Sequence, residues 1–288
     1  MKIRNLIVGS SLLGLLGVAC SSGSTEQPSF AEATREVQAQ DSLIPEIPDS
    51  VIQFDASVSA EKRKEIMEKI SKKYLMGKFD PAKDERFSKI PAPYAQKEMF
   101  MRTEALESFQ KMHAAAKEDG INLLVISATR PFDVQKSIWE AKWTGRRKVD
   151  GKMLSKEVKD AKGRAVKILR WSSMPSTSRH HWGTDIDINN LNPEYFDTGQ
   201  GLKEYEWLVA HAIEYGFCQV YSEMGENRPY GYQEEKWHWS YLPISKDLTN
   251  AYAQKISDQD IDGFLGAESA PMIEVVQKYV LGINPDCL

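Results

Sequence analysis

The stretch Ser178-Arg179-His180-His181-Trp182-Gly183-Thr184-Asp185-Ile186-Asp187 packs imidazoles, carboxylates and a glycine into ten residues. Glu235-Lys236-Trp237-His238 answers it about fifty residues later. The chain has five histidines, and three of them fall in these two segments, which a random scatter would rarely produce. Imidazole nitrogens and carboxylate oxygens together are the donors that borderline divalent cations take. A further carboxylate outside the donor set is then free to move protons.

Residues 184–189 alternate polar and Ile, the pattern of a half-buried strand. Ile186 and Ile188 then face a core, while Asp185, Asp187 and Asn189 face a cleft. Gly183 lets the backbone turn closely, so that His180 folds back toward Asp187. Residues 237–241 read as an aromatic-rich strand that carries His238 between Trp237 and Trp239. Strand parity places Glu234, Lys236 and His238 on one face and Glu235 on the other. Periodicity alone therefore selects Glu234 as the acid beside His238. Glu235 reaches that place only if the chain bends between 235 and 237.

Outward from these segments, residues 122–128 form a short apolar run, read as a buried strand ended by Thr129-Arg130-Pro131. Helical spacing predicts helices over 57–75, 96–117, 132–143, 201–215, 245–256 and 271–281. Ser59 caps the first, and Gly120 and Gly216 stop the second and fourth. A loop is expected at Pro91 to Pro93, and a short strand at 217–221. Trp139, Trp143 and Trp207 read as core packing, and His113 and His211 as ordinary surface or satisfied histidines. Residues 145–170 are charged, with Gly151, Gly163 and no strong apolar face, which predicts a mobile insertion or flap. Strands and helices mix without regular alternation, so the fold class is α+β.

At 288 residues the chain fits one large domain or two small ones. Its net charge of −4 is spread without a basic block, which excludes nucleic acid as an expected partner. Lys2 and Arg4 precede an apolar run over 6–18 and small residues before Cys20, the pattern of a secretory signal over 1–19. Gly17-Val18-Ala19 suits an ordinary signal peptidase. It also resembles a bacterial lipobox with Cys20 as the lipid-modified first residue, although Gly17 stands where Leu is preferred. Residues 20–50, rich in Ser, Glu, Gln and Pro, read as the tether of a lipid-anchored domain. The expected location is the bacterial cell envelope outside the cytoplasmic membrane. Cys218 and Cys287 remain as an even pair, either a disulfide or two separately buried thiols.

A third segment, Ser127-Ala128-Thr129-Arg130 followed by Gln135, completes a set. The three segments, in this order, resemble the VanY-type D-alanyl-D-alanine carboxypeptidases, zinc peptidases of the Hedgehog/DD-peptidase fold. The family pattern is Ser-x-His-x-x-Gly-x-x-x-Asp and then Glu-x-x-His. Here it is met by Ser178, His180, Gly183 and Asp187, and by Glu235 and His238. The resemblance covers residues 95–245 and implies a small, mostly antiparallel sheet flanked by helices. It implies a zinc peptidase domain over 51–288, with a helical C-terminal extension over 245–288. It also implies His180, Asp187 and His238 as ligands of Zn2+ and Glu235 as catalytic base. Arg130 would neutralise a carboxylate or a developing oxyanion through its planar fork, while Gln135 and Ser178 would hydrogen-bond the substrate backbone. The plainer reading of Arg130 is a helix cap or a partner of Asp133. Asp185 stands where the family usually has a small residue, so which acid coordinates stays open, and it could bond His181 or a ligand instead.

The activity so implied is hydrolysis of peptidoglycan stem peptides, foremost removal of terminal D-alanine, by a protein expected to be a monomer. A D-Ala-D-Ala dipeptidase or a cross-link endopeptidase would use the same site. A non-catalytic zinc-containing lipoprotein that binds wall peptide is the alternative of another class. Other catalytic signatures are missing: no His-Glu-x-x-His, no Gly-x-Ser-x-Gly, no Cys-x-x-Cys and no glycine-rich phosphate loop.

Overall fold

The computed structural model describes residues 68–288. The readings for the signal segment, Cys20, its tether and most of the helix at 57–75 lie outside the described residues. An antiparallel ribbon of β1 (Phe87–Lys89) and β2 (Phe100–Arg102) precedes a four-stranded antiparallel sheet. That sheet comprises β3 (Val125–Ser127), β4 (Asp185–Ile188), β5 (Phe217–Gln219) and β6 (His238–Tyr241), in the order β3-β4-β6-β5. The longer helices are α1 (Thr103–Glu118), α2 (Phe132–Trp143), α3 (Ala161–Leu169), α4 (Gly199–His211) and α5 (Leu242–Lys255). The class is α+β, with small antiparallel sheets flanked by helices.

The alternation of β4 decides which face of the sheet is core. Ile186 and Ile188 are fully buried, in one cluster with Val125, Phe217, Trp239 and the inner face of α1, including Leu106, Phe109 and Met112. Asp185 and Asp187 therefore point the opposite way. A second cluster joins Trp139 and Trp143 of α2, Ile168 and Leu169 of α3, Trp182, and Leu248 and Tyr252 of α5. His113 is a satisfied core histidine, its Nδ1 2.8 Å from the Leu123 carbonyl. His211 is a surface residue 3.1 Å from Glu214.

Several elements differ from their sequence-based bounds, each for a local reason. The helix predicted from 96 starts at Thr103, because residues 100–102 alternate in burial and pair with β1. The helix predicted to run to 75 breaks before Ser71, whose side chain accepts from Tyr74 N at 3.2 Å and starts a new turn, Lys72–Leu75. β3 is shorter than predicted because Asn189 takes its flank. Asn189 Oδ1 accepts from Leu124 N at 2.6 Å, and its Nδ2 donates to Asn122 O at 2.8 Å. The helix predicted over 271–281 is interrupted at Glu274, whose φ is 59°.

The largest correction concerns 145–170, which is packed wall rather than flap. Leu154, Ala165, Ile168 and Leu169 are buried, and Asp160 caps α3 by accepting from Gly163 N at 2.6 Å. Among the described residues, no helix is long and apolar enough to cross a membrane.

Of the two cysteine readings, the structure contains the bond. Cys218 on β5 is joined to Cys287 across 69 residues. It fastens the C-terminal segment to the sheet edge and restricts a long loop in the unfolded chain. Cys287→Ser is expected to cost about 2–5 kcal/mol of unfolding free energy, read from denaturant midpoints under oxidising conditions.

Candidate metal centre and cleft

The register of the sheet brings the two motifs together. Asp187 on β4 is the cross-strand partner of His238 on β6, and Asp185 is the partner of Ser240. His180 comes from the single 3-10 turn Arg179–Trp182, which Gly183 closes in the left-handed conformation at φ 77°. A side chain at Gly183 would strike the Phe87 ring, with contacts down to 2.2 Å, so the close turn and the packing both require glycine. Arg130 N donates to His180 O at 3.1 Å, which ties the third segment to the first.

One ligand atom each from His180, Asp187 and His238 lies within 4.8 Å of the others, and all three residues are buried. His180 Nδ1 is 3.0 Å from the Ala128 carbonyl. A carbonyl only accepts, so Nδ1 carries the proton and Nε2 presents its lone pair. His238 Nε2 is 2.9 Å from Asp185 Oδ2, which fixes the proton there and turns Nδ1 forward. Asp187 Oδ1 lies 3.3 Å from His180 Nε2 and 3.2 Å from His238 Nδ1. His180 Nε2 and Asp187 Oδ1 are both buried without a hydrogen-bond partner. Polar atoms are rarely left so, and a two-imidazole, one-carboxylate set fits a divalent cation such as Zn2+.

The electrostatics agree. Burial, with Arg130 adding to it, lowers the pKa of His180 and keeps the imidazole neutral. Burial likewise pushes the His238 pKa down, but its bonds to Asp185, Asp187 and Glu235 outweigh that and raise it well above the ordinary value. The same surplus of negative charge favours a cation among these donors.

Asp185 does not face the cleft. It is fully buried, and both oxygens are engaged by protein donors. Oδ1 accepts from Thr184 Oγ1 and Ser240 Oγ, each at 2.7 Å, and Oδ2 accepts from Arg179 Nε at 3.0 Å and from His238 Nε2. Of the uses the sequence left open, the structure shows the bond to a candidate ligand. His181 is engaged elsewhere, with Nδ1 on the Arg130 carbonyl at 2.5 Å. Burial opposes the Asp185 charge, yet Arg179 and then His238 hold its pKa well below the carboxylate range. Such an outer carboxylate orients a metal-binding imidazole and raises its basicity. Sequence reading missed Arg179, which is 1% exposed and also donates to Thr249 Oγ1 at 2.8 Å and Ser240 Oγ at 3.0 Å.

The bend that Glu235 needs is present. β6 begins only at His238, whose N–H donates back to Glu235 O at 3.2 Å, while Glu235 N donates to Tyr221 O at 2.9 Å. Glu235 Oε2 thereby sits 3.4 Å from His238 Nδ1. Glu234, the choice of strand parity, instead lies 3.5 Å from the Tyr205 hydroxyl. Burial raises the Glu235 pKa, against the bond to His238, and repulsion from Asp187 adds to the rise.

Asp187 and Glu235 open onto a cleft of about 870 Å3, which Arg130, Trp171 and Trp237 also line. A small cavity of about 30 Å3 beside it is bounded by Arg130, Ser178, His180, Glu235 and His238. Arg130 Nε and Ser178 Oγ are buried without partners; no side chain caps α2, and among the described residues no ion pair joins Arg130 to Asp133. Gln135 is fully buried behind the wall, its Nε2 donating to Ser173 O at 2.7 Å and its Oε1 unpartnered.

The family model described as VanY, D-alanyl-D-alanine carboxypeptidase, matches residues 98–244. The chain is 23% identical over 266 residues to the putative carboxypeptidase YodJ of Bacillus subtilis, covering 84% of this chain and 89% of that protein. It is 27% identical over 145 residues to a D-alanyl-D-alanine carboxypeptidase of Enterococcus faecalis, covering 50% of this chain and 49% of that protein. Among solved structures it is similar to the D,D-pentapeptidase VanY of the VanB-type resistance cassette, in complex with Zn(II). That likeness has a TM-score of 0.41 at 22% identity and covers 63% of this chain and 93% of the other.

Proposed function

Because the chain belongs to the VanY family of D-alanyl-D-alanine carboxypeptidases, we propose that it is a zinc-dependent carboxypeptidase that removes the terminal D-alanine of peptidoglycan stem peptides. The observation that carries this reading is the convergence of His180, Asp187 and His238 with a separate acid, Glu235, at the mouth of one cleft.

Zn2+ held by those three residues would supply Lewis acidity, which acidifies water and polarises a carbonyl. Glu235 takes a proton from the attacking water and returns it to the leaving amine nitrogen. A carboxyl whose pKa is raised by burial is suited to both transfers near neutral pH. Asp185 and Arg179 hold the His238 ring so that Nδ1 faces the site. Arg130 binds the free carboxylate of the C-terminal residue, and Ser178 Oγ hydrogen-bonds the peptide backbone. Gln135, buried behind the wall, contributes by holding residue 173 rather than by touching the peptide.

The reading extends to location. Residues 1–19 act as a secretory signal, and Cys20 carries the lipid that anchors the protein outside the cytoplasmic membrane. The Cys218–Cys287 bond supports an oxidising compartment.

Arg130→Ala is expected to raise KM for a pentapeptide stem on the order of tenfold or more, the scale of a lost charge-assisted hydrogen bond. Amidating the substrate C-terminus should do the same to the unaltered enzyme. An enzyme that cleaves amide and acid equally well contradicts carboxypeptidase action and favours an endopeptidase.

A further inference from the structure

One wall of the cleft carries positive charge without an ion pair in contact. Lys142 and Arg147 line the cleft of about 870 Å3 together with Arg130. Lys142 sits in the last turn of α2 and is 8% exposed. Its Nζ donates to Ser172 Oγ, a neutral partner. Arg147 follows the left-handed turn at Gly145, φ 80°, and its N–H donates to Ala141 O at 2.7 Å, so the backbone sets both positions. Among the described residues neither side chain forms an ion pair. The acids of the cleft are engaged elsewhere. Glu98 pairs with Lys89 at 2.5 Å, and Asp187 and Glu235 face His238.

A buried ammonium with no ion pair in contact is unfavourable. Burial first, and then repulsion from Arg147 and Arg130, lowers the Lys142 pKa to about 8, against the weaker attraction of Glu235 and Asp150. An anion entering the cleft would relieve both effects. Arg130 also bounds the small cavity beside the metal donors, whereas Lys142 and Arg147 line only the larger cleft. The cations thus divide into one next to the reacting centre and a pair farther along the wall.

We propose that Lys142 and Arg147 form an anion subsite for a second carboxylate of the substrate peptide, distinct from the C-terminal carboxylate assigned to Arg130. The substrate class is a stem peptide bearing a free carboxylate upstream of the cleaved bond, on an acidic or amino-dicarboxylic residue, in preference to its carboxamide. Lys142 supplies a fixed point charge, and Arg147 a fork that closes from the exposed side. This rests on the peptidase reading above.

The test uses two peptides ending in D-Ala-D-Ala that differ only in an upstream carboxylate or carboxamide. With zinc-loaded protein, kcat/KM is expected to favour the carboxylate by about tenfold or more, the scale of a charge-assisted bond. The ratio should fall toward one in Lys142→Met and in Arg147→Met. Arg147 is exposed, so its variant reads the subsite even if Lys142→Met disturbs the wall at Ser172. A ratio near one in the unaltered protein, or one undiminished in both variants, overturns the subsite. Calorimetric binding of the same peptides to Glu235→Gln protein reads the preference without turnover. Tighter carboxylate binding without any cleavage in the unaltered protein would sink the peptidase reading and keep the subsite. Equal or undetectable binding of the two peptides would sink the subsite.

Discussion

Glu235→Gln in the zinc-loaded protein is expected to lower kcat at least about a hundredfold, the low end of what general acid–base catalysis contributes. The substitution keeps the shape of the side chain and removes its ability to take a proton. Glu235 is not one of the three clustered donors, so zinc stoichiometry should stay at one per chain in the variant. The expectation depends on the turn at 236–237, which delays β6 until His238 and sets Glu235 Oε2 3.4 Å from His238 Nδ1. Glu234→Gln is the matched control. That side chain lies against Tyr205, and its loss should leave kcat close to normal. Reversal of the two results would return the base to the residue chosen by strand parity.

The second large effect lies behind the site. Arg179→Met is expected to destabilise the fold by about 3–5 kcal/mol, because it leaves the Asp185 carboxylate buried without its ion partner. It should also weaken zinc binding about 10–100-fold, the usual cost of losing outer support of a ligand. Asp185→Asn added to Arg179→Met removes the stranded charge and should recover part of the stability but little of the affinity. Denaturant unfolding of both variants with zinc titration separates the two effects. Equal stability of Arg179→Met and the parent would show that the buried pair does not hold the site. The pH dependence has a definite sign. Asp185 titrates well below its ordinary value of 3.8 in the folded state. Its contribution is therefore present above about pH 4 and is lost as pH falls toward the depressed value.

Much of the site was legible because it lies in short segments whose alternation is strong. Ile186 and Ile188 pointed β4 correctly, and with it Asp187, and the Glu-x-x-His spacing located His238. What was not legible depended on partners distant in sequence. Asp185 looked like a second cleft acid because period-two alternation says which face a side chain takes, not what covers that face. Its cover is Ser240 on β6 and Arg179 from the preceding turn, itself held by Thr249 on α5. Residues 145–170 looked like a flap because the apolar residues of α3 are few. Ala165, Ile168 and Leu169 need the tryptophans of α2 to make them a buried face. Lys142 was invisible for a similar reason, since a lysine at the end of a helix ordinarily reaches solvent. The bend at 236–237 left no periodic signature, and only the family pattern selected Glu235.

The most direct test is mass analysis of the products formed from a defined stem pentapeptide by zinc-loaded protein, with chelated protein beside it. The expected result is loss of a single C-terminal alanine, abolished by chelation and restored by zinc. Absence of any product, release of a dipeptide, or cleavage that survives complete metal removal would contradict zinc-dependent carboxypeptidase action at His180, Asp187 and His238.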